Sequence, residues 1–258
     1  MTLATGEDDW VVEILSETPS TNAVLAERAR QGAAHGLVIA TEHQTAGRGR
    51  LDRTWTTPRS TALTFSVLLR PDGLAPTRWT WLPLLTGLAV TSALRSLGYD
   101  ALVKWPNDVL LRTSEGERKV CGILVERVDT PAFGAGTAAA VIGIGLNTSM
   151  GADDLPVETA TSLALASGGP VDRTAVLREL LRSLFAHYAD WLADPEEAAS
   201  AYREMSGTLG RQVRAELPGG DVLTGVAQAV DETGCLIIST EAGPVTVAAG
   251  DVVHLRAT

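Results

Sequence analysis

The chain has only two cysteines in 258 residues, Cys121 and Cys235, too far apart for a metal-ligand pair or a disulfide framework. Both read as small core residues. Nowhere do about 18 apolar residues run uninterrupted, which leaves no candidate for a membrane-spanning helix. The opening MTLATGEDDW has neither the basic stretch nor the apolar core of a secretion signal, so a cytoplasmic protein is expected. Cations are scarce too. Against 31 Asp and Glu stand 21 Lys and Arg, and the formal charge of −10 opposes a polyanionic partner such as nucleic acid unless the cations cluster. Familiar catalytic signatures are missing as well: there is no Walker-type phosphate loop, no Gly-x-Ser-x-Gly elbow and no His-Glu-x-x-His. The four histidines, His35, His43, His187 and His254, do not gather in sequence.

What is present is a globular composition. Hydrophobic residues make up 45% and charged residues 20%, which in 258 residues suffices for a sizeable core and one or two domains. Residues 10–15 read as a strand, and the polar Thr18-Pro19-Ser20-Thr21-Asn22 suits the cap of a helix running to about Gly32. Residues 37–41 form the next strand, and residues 42–60, with glycines, arginines and no periodicity, form a loop. A strand over 61–69 precedes a helix whose Leu82, Leu85, Ala89, Ala93 and Leu97 share one face, ended by Gly98. Residues 101–103, 109–111, 120–127 and 139–146 are strand-like, and helices are expected after Asp172 and over 196–205. Gly207 and Gly210 break the helical pattern. From Arg211 short strands and glycine turns follow at close intervals. The expected fold is α+β, with a mixed sheet flanked by helices in residues 1–206 and a small all-β module in 207–258.

Three segments carry possible chemistry. In Thr45-Ala46-Gly47-Arg48-Gly49-Arg50-Leu51-Asp52-Arg53-Thr54-Trp55, glycines let backbone approach a ligand while guanidinium groups offer planar donors to phosphate or carboxylate. Trp55 can stack on a planar group, and Gln44 adds a neutral hydrogen-bonding group; the alternative is a solvated loop. In Val103-Lys104-Trp105-Pro106-Asn107-Asp108 a lysine ends a strand, and Asn107 and Asp108 either hold a cation, a water or a ribose hydroxyl, or merely build the turn. Gly143-Ile144-Gly145-Leu146-Asn147 permits close backbone packing but fails the dinucleotide fingerprint.

Taken in order, Ser20-Thr21-Asn22, Glu42-His43-Gln44-Thr45-Ala46-Gly47-Arg48-Gly49-Arg50, Lys104-Trp105-Pro106-Asn107-Asp108, Lys119-Val120-Cys121-Gly122-Ile123-Leu124 and Gly143-Ile144-Gly145-Leu146-Asn147 resemble the biotin–protein ligases. The resemblance covers nearly the whole chain. It implies a catalytic domain like that of class II aminoacyl-tRNA synthetases followed by a small SH3-like β-barrel. It also implies a ligase that makes biotinyl-5'-AMP from biotin and ATP with Mg²⁺, then transfers biotin to a lysine of the biotin carboxyl carrier domain of acyl-CoA carboxylases.

By the same resemblance Ser20, Thr21, Asn22, Gln44, Arg48, Gly49, Arg50, Lys104 and Gly122 contact biotin, with Lys104, Arg50 and Arg48 acting on the reacting groups. Arg53, Trp55, Asn107 and Asn147 fall to the nucleotide, and no metal ligands are singled out. Residues 45–55 are expected to close as a lid whose arginines find partners when the anionic ligand arrives. This sequence departs from many relatives at Leu51-Asp52-Arg53, where an apolar residue replaces a cation and a carboxylate is added. Only 19 residues precede Ser20, so a form without the DNA-binding domain of some relatives is expected, as a monomer or homodimer bound to neither specific DNA nor membrane. Rival readings are a related lipoate ligase or octanoyltransferase, which needs an apolar channel for its acid, and a non-enzymatic regulatory module.

Overall fold

The computed structural model describes residues 2–4, 10–51, 53–71, 74–134, 136–248 and 250–255. Two sheets organise them. The larger has eight strands: β1 (Thr2–Ala4), β2 (Val11–Leu15), β3 (Leu37–Thr41), β4 (Ala62–Leu69), β5 (Ala101–Lys104), β6 (Asp108–Thr113), β7 (Gly116–Asp129) and β8 (Ala138–Asn147). Their order is β1-β2-β3-β4-β8-β7-β6-β5. β2 and β3 run parallel, since helix α1 (Thr21–Arg30) crosses between them, and the remaining pairs are antiparallel. The second sheet is antiparallel and comprises β9 (Gln212–Glu216), β10 (Val222–Val230), β11 (Leu236–Thr240), β12 (Gly243–Val247) and β13 (Asp251–His254), in the order β12-β11-β10-β9-β13. The expected α+β class, a mixed sheet with helices and a terminal all-β module, is the class observed.

Local chemistry sets the helix ends. The Ser20 hydroxyl accepts from the Ala23 amide to start α1, and α2 (Leu82–Ser96) carries Pro83 in its first turn and stops ahead of Gly98, whose φ of +89° favours glycine. Asp172 caps α4 (Arg173–Ala193) and Asp194 caps α5 (Pro195–Met205), each carboxylate accepting from two backbone amides of the first turn. The strand β1 and the helix α3 (Leu163–Ser167) were not anticipated. Three and five residues are too short to display a period. Among the described residues, no helix is long and apolar enough to cross a membrane.

Alternation along the strands decides where a ligand could sit. On β4, Leu63, Phe65, Val67 and Leu69 join the main core with α2, α4, α5 and the second sheet, whereas Leu68 packs beneath α1 with Leu25, Ala29, Ile39, Val128, Ala139 and Val141. The face under α1 therefore continues along β4 as Ser66 and Thr64, and along β8 as Gly143, Gly145 and Asn147. Past the first turn of α1 that face changes from apolar side chains to hydroxyls, an amide and bare backbone. The second sheet is clasped to the first by two indoles: Trp81 Nε1 donates to Glu232 O at 2.8 Å and Trp105 Nε1 to Gly234 O at 3.0 Å.

Candidate active site

The bare stretch of sheet is the floor of a cavity of about 260 Å³. Gly122 of β7 lies directly across from Gly145 of β8, and both support the Trp55 ring. A Cβ on Gly145 would stand 2.5 Å from Trp55 Cζ2, and one on Gly122 would stand 3.2 Å from Cζ3, so the glycines are what admits the indole. Trp55 Nε1 is buried and has no hydrogen-bond partner.

At one end of the floor is a socket of neutral polar groups. Gln44 Oε1 accepts from the Thr21 amide at 2.8 Å and from Thr21 Oγ1 at 3.2 Å, which leaves its Nε2 beside Gly47. Ser66 Oγ, fully buried, stands 2.7 Å from Thr21 Oγ1 and 2.5 Å from Asn22 Oδ1. Asn22 Nδ2 in turn donates to Glu126 Oε2 at 2.7 Å and Leu124 O at 3.3 Å. The socket thus holds donors and acceptors already fixed by one another, as recognition of a neutral polar ring requires.

Residues 47–51 and 53–55 rise over the cavity as the two sides of a small hairpin. Trp55 N donates to Gly47 O at 2.9 Å, Gly49 N to Arg53 O at 2.7 Å and Arg53 N to Arg50 O at 3.2 Å, with Leu51 at a positive φ of 53° at the tip. Gly47 is required here, because a Cβ would collide with the Trp55 carbonyl. All three arginines have protein partners: Arg48 lies 3.0 Å from Glu126 Oε1, Arg50 donates to Asn107 Oδ1 at 3.0 Å, and Arg53 pairs with Asp251 of β13. The expectation that they stay unpaired until a ligand arrives is therefore corrected. Their partners lie in β7, the turn after β5 and the second sheet, elements that strand pairing and docking bring to the hairpin. Asp52, the added carboxylate, lies outside the described residues.

Cationic charge converges on Asp108. Lys119 Nζ lies 2.6 Å from its Oδ1 and Lys104 Nζ 3.4 Å from its Oδ2. Lys119 lines the cavity, with Arg50, Asn107 and Asp108; Lys104 lines neither the cavity nor the wider opening beside it. The sequence reading put Lys104 rather than Lys119 at the reacting groups; in the structure it is Lys119 that borders the cavity. The charge of Lys104 reaches the second sheet instead, where burial first, then Lys104 and Arg211, push His254 down to about 4. A bulge opposite Val109 and Leu110 explains the exchange. Cys121 pairs with Val109 and Lys119 with Leu110, so Val120 is the extra residue; Val120 and Cys121 both enter the core, and Lys119 emerges on the face of Gly122.

Residues 15–147 match the model of the biotin/lipoate A/B protein ligase family, and residues 208–255 match the biotin protein ligase C terminal domain. The chain belongs to the biotin/lipoate A/B protein ligase family. The biotin–[acetyl-CoA-carboxylase] ligase of Mycobacterium tuberculosis is 38% identical over 250 residues, covering 95% of this chain and 89% of the relative. The bifunctional ligase/repressor BirA of Escherichia coli is 31% identical over 239 residues, covering 91% and 71%. Among solved structures, the biotin protein ligase from Aquifex aeolicus in complex with biotin and ATP aligns at a TM-score of 0.78 and 28% identity, covering 95% of this chain and 99% of that one.

Within this family member the cavity gathers Ser20, Thr21, Asn22, Gln44, Arg48, Gly49, Arg50, Arg53, Trp55, Asn107, Gly122 and Asn147, drawn from segments more than a hundred residues apart. Trp55 sits against Gly122 and Gly145 with its backbone at Gly47 beside Gln44, on the socket side of the cavity; the sequence reading gave it to the nucleotide. Asn147 is held from behind, its Nδ2 donating to Thr161 O at 3.0 Å. Sequence reasoning missed Ser66, which reads as one more position in an apolar strand, and Glu126, which carries no motif. A second opening of about 940 Å³ adjoins the cavity and is lined partly by Thr233, Gly234 and Cys235. Cys235 is thus half-buried at a surface, while Cys121 is a core residue whose thiol is pushed up by burial and is no nucleophile.

Proposed function

We infer that the protein is a biotin–protein ligase, forming biotinyl-5'-AMP from biotin and ATP and passing biotin to a lysine of a biotin carboxyl carrier domain. The observation that carries this reading is the preformed socket of Thr21, Gln44 and Ser66 beside the Lys119–Asp108 pair. A ureido ring needs a donor and acceptors at one end of the site, and its distant carboxylate needs a cation at the other; a lipoyl or octanoyl chain would need apolar walls where these polar groups stand.

In the first step the biotin carboxylate attacks the α-phosphate of ATP and pyrophosphate leaves. Lys119 and Arg50 offset the charge of the two anions and align them, while Asp108 holds the Lys119 ammonium in place. In the second step the acceptor amine attacks the biotinyl carbonyl and AMP leaves. The socket of Ser20, Thr21, Asn22 and Gln44 orients the ring, Gly122 offers backbone, and Arg48 and Gly49 cover the anhydride from water. Asn107, Asn147 and Arg53 face the nucleotide. Lys104 supports Asp108 from the far side.

Among the described residues no three His, Cys, Asp or Glu side chains gather into a metal site. Asp108 and the Asn107 amide oxygen are already engaged by Lys119, Lys104 and Arg50, so the site suits Mg²⁺ only as an ion carried by the phosphates of ATP, the usual mode for that ion. When bound there it supplies charge neutralisation at the phosphates. Residues 1–206 then carry the chemistry and 207–258 the terminal module, in a cytoplasmic enzyme. The test is mass spectrometry of a carrier domain incubated with the protein, ATP, Mg²⁺ and biotin. A gain of one biotinyl group is expected; an unmodified carrier, or lipoyl transfer in its place, would overturn the reading.

A further inference from the structure

Glu126 occupies the cavity face of β7, in step with Gly122 and Leu124, and its carboxylate has two clients. Arg48 Nη2 of the hairpin lies 3.0 and 3.1 Å from its two oxygens, and Asn22 Nδ2 of α1 lies 2.7 Å from Oε2. Asn22 is oriented by this contact: with Nδ2 facing Glu126 and Leu124 O, its Oδ1 must face Ser66 Oγ. Ser66 meets Thr21, Thr21 meets Gln44, and Gln44 Nε2 lies against Gly47, the first residue of the hairpin. The contacts close into a circuit from the hairpin through Glu126 and the socket and back to the hairpin.

We propose that Glu126 is a positioning residue that latches the hairpin to the ring socket through Arg48 and Asn22, so that ring binding and coverage of the adenylate depend on one carboxylate. This rests on the biotin-ligase reading of the cavity. The carboxylate is suited to the task because it only accepts: it serves a guanidinium and an amide at once, which a neutral amide in its place cannot do without setting one N–H group against another.

E126Q tests this. The variant is expected to raise the KM for biotin roughly tenfold, the size of one lost charge-assisted hydrogen bond, with a smaller loss of kcat. It is also expected to raise the pyrophosphate released per acceptor biotinylated, as adenylate escapes the loosened hairpin. R48A breaks the latch from its exposed side and is expected to raise the same ratio, and R48A/E126Q is expected to match R48A alone in that ratio. A wild-type KM and ratio in E126Q would overturn the proposal. So would effects of E126Q and R48A on the ratio that multiply in the double variant, and so would a wild-type ratio in R48A should E126Q not fold. Wild-type protein that releases no pyrophosphate with biotin and ATP would overturn the ligase reading itself, a result distinct from the others.

Discussion

Replacing Lys119 by alanine is expected to slow adenylate formation by about 2–4 kcal/mol of barrier, the range for loss of a preorganised electrostatic group. Lys104→Ala, acting only through Asp108, is expected to cost less. Single-turnover pyrophosphate release with each variant checks the ranking, and a larger loss in Lys104→Ala would return that lysine to the reacting groups. The two could not be separated in sequence. Strict alternation sends Lys119 to the same side as Cys121 and Ile123, and a bulge at Val120, which has no composition of its own, reverses it. A second expectation concerns the floor. Gly145→Ala places a methyl against the Trp55 ring, so biotin binding is expected to weaken while the fold is retained, as equilibrium dialysis and thermal unfolding would show.

The hairpin of residues 47–51 and 53–55 is the element on which retention of the intermediate is expected to depend. Its arginines are paired before any ligand enters, so it is a closed cover: Arg50 and Arg53 must exchange Asn107 and Asp251 for phosphate or carboxylate, while the Arg48–Glu126 pair stays in place. Arg50→Gly removes the tether to Asn107 and adds backbone freedom. It is expected to form adenylate more slowly yet consume more ATP per acceptor labelled, and to be cut faster in the hairpin by protease unless biotin and ATP are present. Equal cleavage with and without ligand, together with a wild-type coupling ratio, would show that the hairpin does not retain the adenylate. The long elements, α2, α4 and the strands β4 and β8, were legible because each keeps one period over much of its length. The partners of the arginines were not, since Arg48 meets a residue 78 positions away and Arg53 one 198 positions away.

At the scale of the molecule, the seam between the sheets holds a half-buried polar cluster. Arg211 donates to both oxygens of Glu117 at 2.6 and 2.7 Å, and Glu117 lies 3.6 Å from His254 Nδ1. Burial pushes the Glu117 carboxyl up, but Arg211, His254 and Arg112 outweigh it and hold the group below its usual range. The His254 value, depressed from 6.5 to about 4, means that the unfolded chain binds the extra proton first. Stability contributed by neutral His254 is therefore full above about pH 6.5 and declines as the pH falls toward 4. The depressed carboxylates, Glu42 and Glu117, contribute in the same direction but only from about 4.5 downward. Denaturant unfolding of wild type and His254→Gln at several pH values isolates the histidine: the slope between pH 6.5 and 4.5 is expected to shrink in the variant.

The two indole clasps across this seam also keep time. Trp81 and Trp105 are 5% and 1% exposed, and each gives its ring proton to a carbonyl of the turn between β10 and β11. The terminal sheet cannot swing aside without breaking both bonds and wetting both buried rings, which makes a partial hinge opening costly and couples the departure of one sheet to the loosening of the other. In deuterated buffer the two ring protons are therefore expected to exchange together, at the pace of whole-chain unfolding, giving the enzyme a pair of spectroscopic clocks for the cohesion of its halves.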